Sequence, residues 1–78
     1  MPGDYLEIEQ LRASLADPAI VAKEAFGILS NISHLLDEGD SRQVSQELVL
    51  RALESRKHFG KASIVLDALV RQVGLFPT

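Results

Sequence analysis

The chain has no cysteine among its 78 residues, which excludes a disulfide framework and thiolate chemistry. It has no apolar run near the ~20 residues that a bilayer crossing needs. Its apolar runs are short: Ala19-Ile20-Val21-Ala22 ends at Lys23, and Ile64-Val65-Leu66 is stopped by Asp67. The opening Met1-Pro2-Gly3-Asp4 carries neither the basic segment nor the apolar run of a secretory signal. No segment alternates polar and apolar residues as a half-buried strand does, and there is no internal repeat, low-complexity tract or linker. These absences lead us to expect a soluble, cytoplasmic domain with no membrane contact.

What is present is a single domain over 1–78. A chain of this length buries roughly 60% of the surface that its unfolded form exposes, so a few kcal/mol is the stability to expect. The hydrophobic share of 46% and the charged share of 24% are those of an ordinary globular protein, not a disordered one. The spacing predicts helices over about 5–16, 18–37, 41–58 and 62–73. Tyr5, Ile8, Leu11 and Leu15 form one stripe behind a capping box of Asp4 and Glu7. Asp17-Pro18 ends that helix and starts the next, because aspartate caps well and proline is tolerated at the first helical position.

In the second helix Val21, Ala25, Ile28, Ile32 and Leu35 make one face, broadened by Ala22, Leu29 and Leu36. Gly27 interrupts it at a cost of up to ~1 kcal/mol, which close approach of a neighbouring helix would explain before a kink would. Glu38-Gly39-Asp40-Ser41 is a turn, with Asp40 or Ser41 capping the third helix. Val44, Leu48, Ala52, Val49, Leu53 and Leu50 give that helix a wide apolar face and a central place. Short connections then imply an all-α, antiparallel bundle of about four helices. The fourth helix is apolar almost all round, so it is either buried or partly an interface.

Charge is unevenly placed on a chain of net −3. Residues 1–40 carry eight acids against Arg12 and Lys23, a balance of −6, and residues 41–78 carry six bases against three acids, a balance of +3. Such polarity favours internal packing, head-to-tail association into a homodimer, or an external partner.

No constellation in the chain points to catalysis. Gly60-Lys61-Ala62-Ser63 lacks the upstream glycine and strand of a phosphate-binding loop. His34 and His58 lie on different helices, and His34 with Asp37 or Glu38 falls short of the three or four ligands that zinc takes. The acidic turn reads as caps and solubility. No catalytic residue, metal or cofactor is expected. Arg51, Arg56, Lys57 and Lys61 crowd the end of helix three. Pairs such as Glu47–Arg51 and Asp67–Arg71, together with the acidic total, make this a salt-bridged surface before a nucleic-acid one.

The run Leu66-Asp67-Ala68-Leu69-Val70-Arg71-Gln72-Val73-Gly74-Leu75-Phe76-Pro77 supports a comparison, with weaker support from Asp17-Pro18-Ala19-Ile20-Val21 and Arg51-Ala52-Leu53-Glu54-Ser55-Arg56. It resembles the helical amino-terminal region of certain large bacterial, defence-associated DEAD/DEAH-box helicases. There the last segment reads Leu-Val-Arg-x-Val-Gly-Leu-Tyr-Pro and runs into the motor. Phe76 stands here where tyrosine is usual, and no helicase motif is present. The resemblance therefore implies a regulatory, docking or oligomerising accessory domain, with any ATP-dependent helicase activity belonging to a longer parent protein.

The functional expectation is a non-catalytic interaction module. Leu69, Val73, Leu75 and Phe76 would dock on a protein partner or on the remainder of a parent chain, with Arg56, Lys57 and Arg71 steering an acidic surface. A second reading is an accessory domain contacting nucleic acid through Arg51, Arg56, Lys57 and Lys61. A death-fold-like signalling adaptor ranks third, since such folds usually have six helices.

Overall fold

Asp17 and Pro18 set the sharpest boundary in the fold. In the computed structural model, Asp17 is extended and its Oδ1 accepts a hydrogen bond from the Ala19 N–H at 3.0 Å, with Pro18 at the first helical position. The structure describes the backbone of residues 2–39 and 41–75, and the side chains of 6–39 and 41–75. The expected roles of the Tyr5 side chain, Asp40 and Phe76 lie outside the described residues.

Four α-helices follow in order: α1 (Pro2–Leu15), α2 (Pro18–Asp37), α3 (Arg42–Glu54) and α4 (Ser63–Val73). Two 3₁₀ turns, Arg56–His58 and Gly60–Ala62, join α3 to α4. The described residues contain no strand. The all-α, four-helix expectation is met. None of the described helices is long and apolar enough to cross a membrane.

The boundaries differ from expectation in three places. Helix α1 starts at Pro2, ahead of Asp4, so Asp4 is not its N-cap. Ser41 occupies the N-cap position of α3 without a side-chain cap bond. Helix α3 ends at Glu54, not near 58, because Ser55 leaves helical geometry and the chain tightens into 3₁₀ turns. These turns carry Phe59 and Ala62 into the core, a gain of apolar burial that a continued helix would forgo. Gly60, at φ 56°, provides the left-handed backbone between them.

Helix α2 is the hub, packing on α1, α3, α4 and both turns. Val21, Leu29, Ile32 and Leu35 from α2 meet Leu48 and Val49 of α3 and Leu66 and Val70 of α4, all fully buried. Leu11 and Leu15 close the core from α1. Leu50 and Ala22, expected on apolar faces, are exposed.

Gly27 does not mark a close helix approach: a Cβ built there would meet no heavy atom within 4 Å outside its own helix. The helix instead kinks at Glu24 (φ −115°, ψ 24°), one turn earlier, where glycine weakens the helical preference of the following turn. The radius of gyration is 11.5 Å, that of a compact chain of this length. Each helix keeps a solvent face, and Leu6, Phe26, Leu50 and Ile64 stand exposed.

Candidate interaction surface

Helix α4 divides the proposed docking residues between its two sides. Leu66, Leu69, Val70 and Val73 face inward; Leu69 is 3% exposed and Val73 7%. Two residues expected to meet a partner are therefore core residues, because the three- and four-residue spacing that makes them a stripe turns that stripe onto α2 and α3. The opposite side carries Ile64, Ala68 and Arg71, with Ile64 75% exposed. Sequence reasoning counted Ile64 within an all-round apolar helix and missed its direction. Placing Leu66, Leu69 and Val73 on one helical face would have set Ile64 apart.

Leu75 has a local explanation. Gly74 adopts φ 74°, its N–H donates to the Arg71 carbonyl at 3.1 Å, and the Leu75 N–H donates to the Val70 carbonyl at 3.1 Å. This is the paired arrangement of a Schellman helix end, in which the residue after the glycine folds back onto the helix. Leu75 is accordingly half-buried against the core.

The basic residues fall into paired and unpaired sets. Arg56 binds both Asp67 oxygens, through Nη1 and, at 2.9 Å, through Nη2, tying the first 3₁₀ turn to α4. The hydrogen bond holds the Asp67 carboxyl below its ordinary range, aided by the charges of Arg56 and Arg71, and raises Arg56. Asp67 thus takes Arg56 as its direct partner, and the expected four-residue pair with Arg71 survives only as a longer-range attraction.

Arg51 donates to Glu47 Oε1 at 3.3 Å, as its spacing predicts. Arg12 joins α1 to α3 by donating to Glu47 at 3.0 Å and to Glu9 at 2.8 Å. The Arg12 hydrogen bond, then its charge and Arg51, hold Glu47 below the usual carboxylate range. Lys57 and Lys61 are exposed and make no ion pair among the described residues.

Neither histidine joins a cluster of three or more metal-binding groups among the described residues. His34 Nε2 lies 3.1 Å from Glu38 Oε1 one turn on, an exposed helix-end pair. Ser45 is the buried polar residue of the core, and its Oγ has no hydrogen-bond partner. Between α1 and α2, Glu7, Gln10, Ser14, Glu24 and Asn31 line an open polar groove beside Gly27.

Four helices around one apolar core, tied at the surface by ion pairs between elements, define a small all-α domain. The comparisons name its family. Residues 1–77 match the anti-bacteriophage protein B N-terminal domain, and the chain belongs to that family. It is 36% identical over 53 residues to anti-bacteriophage protein B of Escherichia coli (strain K12). The matched segment is 68% of this chain but 7% of that relative, so the chain corresponds to a small part of the relative's length. No solved structure matches.

Proposed function

We propose that the chain is a non-catalytic interaction domain of an anti-phage defence protein, acting in the cytoplasm. Its docking surface is the outward side of α4: Ile64, Ala68 and the outer half of Leu75, with Arg71 and Lys57 at the margin. The observation that carries the reading is Ile64, three-quarters exposed on a helix whose other side is core. A large aliphatic side chain left in water contributes about 1.5–3 kcal/mol when a partner covers it.

Family membership and the relative's printed name support the defence role, and the relative's far greater length makes the remainder of such a protein the first partner to consider. The resemblance of the closing segment to the region before a DEAD/DEAH-box motor suggests that the remainder is an ATP-driven helicase. This domain then docks on the motor or regulates it.

Ile64→Asp in the isolated chain should leave helical content unchanged by circular dichroism. It should also abolish binding, measured by calorimetry, to the remainder of a full-length family member, and the same change in the full-length protein should reduce its protection in a plaque assay. Unchanged binding and protection would remove α4 as the docking side. A stoichiometric dimer of the isolated chain by light scattering, lost in Ile64→Asp, would assign the surface to a second copy instead.

A further inference from the structure

Helix α2 and the 3₁₀ turns bound an open hollow of about 560 Å³, lined by Lys23, Phe26, Lys57, His58 and Lys61 among others. Phe26 is 63% exposed, although it sits on the helix that supplies the largest share of the core. Its position is off the Val21, Ala25, Ile28, Ile32 stripe, so packing within the fold does not account for an aromatic there. The three lysines make no ion pair among the described residues, whereas Arg12, Arg51 and Arg56 are all paired.

The neighbouring acids mostly turn elsewhere. Glu24 lines the α1–α2 groove with Glu7, and Asp67 holds Arg56. Asp37 borders a separate hollow with His34 on another side of Phe26. Glu54 shares a hollow with Arg56 and Lys57 but forms no ion pair with Lys57 among the described residues. A chain of net −3 thus gathers three unpaired cations around one exposed ring.

We propose that this hollow binds single-stranded nucleic acid, with a base stacked on Phe26 and backbone phosphates held by Lys23, Lys57 and Lys61. An aromatic platform within a basic surface suits a single strand, because every base offers a π-face and lysine holds phosphate as a point charge. A protein anchor would need a deep, desolvated pocket, and this hollow is open. A duplex keeps its bases stacked inside, leaving the ring without a role. This site shares only Lys57 with the margin of the α4 surface; Phe26, Lys23 and Lys61 stand apart from Ile64 and Ala68, so loss of one site by Phe26→Ala or of the other by Ile64→Asp leaves its counterpart testable.

Fluorescence anisotropy with labelled oligo-dT, oligo-U and a duplex of equal length tests the assignment. Single strands should bind at ~50 mM salt, with affinity falling at a log–log slope of about −2 for three phosphate contacts. Phe26→Ala should weaken binding about tenfold or more, and Phe26→Trp should keep it. Lys57→Glu with Lys61→Glu should abolish it, while Arg51→Ala, away from the hollow, should leave it within about twofold of the parent. These side chains are exposed, so circular dichroism should report unchanged helicity for every variant. A preference for oligo-dT or oligo-U assigns the sugar, and either supports the site. No binding at ~50 mM salt, equal affinity for duplex, or indifference to Phe26→Ala would overturn it.

Discussion

The two sides of α4 are built from the same kind of residue and have opposite fates. Leu69 and Val73 are core, while Ile64 on the same helix lies in water. Aliphatic character alone therefore does not distinguish a packing residue from a docking one. Direction around the helix does, and direction acquires meaning only when α2 and α3 occupy one side.

The largest expected effect comes from breaking the inner side. Leu69→Ala should cost about 2–5 kcal/mol in urea or thermal unfolding, through lost apolar transfer and the cavity left behind. In a domain of this size that is enough to unfold much of the population. Ile64→Ala, its counterpart outside, should stay within about 0.5 kcal/mol. Similar costs for the two would erase the distinction between the sides.

Next in size is Gly74→Ala, which places a side chain at φ 74° and should cost about 1–2 kcal/mol in the same measurement. Local amide exchange at Leu75 and Val73 should rise with it, because the Schellman end holds Leu75 against the inner side. Ser45→Ala tests the core from α3. Its hydroxyl is buried without a partner, so removal should be neutral or stabilising by about 1 kcal/mol, the reverse of the Leu69 result.

The smallest effect concerns acid. Glu47 and Asp67 both have carboxyl pKa values held down by arginine partners in the folded state. Their contribution is complete above the ordinary carboxylate value of about 4 and is lost as pH falls through the lower folded value, since unfolding then takes up protons. Both pairs are solvent-screened, so the acid-side slope should be shallow. Asp67→Asn should flatten it further in unfolding curves collected below about pH 4. An unchanged slope would mean that the Arg56 contact adds nothing to the stability of the α4 end.

Much of the helical layout was legible from spacing and capping. Asp17-Pro18 marked a boundary that the structure reproduces, and the helix expected over 62–73 ends at Val73, where Gly74 takes left-handed geometry. Residues 55–58 were read as the end of the third helix because their local preferences do not forbid a helix. Burial of Phe59 and Ala62, contacts distant in sequence, selects the tighter turns. Gly27 misled for a related reason: a missing side chain is visible in sequence, but whether a neighbour approaches it is not. Among the site residues, the Glu47–Arg51 pair was legible because both lie on one helix, whereas Arg56–Asp67 and Arg12–Glu47 join different elements. Phe26 and Lys23 went unnoticed, since the Lys57 and Lys61 that complete their surface come from a turn more than thirty residues on.

By itself the sequence determined the all-helical class, the α2 boundaries and the closing glycine. Periodicity, caps and backbone sterics act over a few residues, and those terms are complete in the local chain. Only the tertiary structure decided which side of α4 is core, where α3 yields to turns, and which cations stay unpaired. Those outcomes depend on apolar area and charge shared between elements far apart in the chain, and no local term contains them.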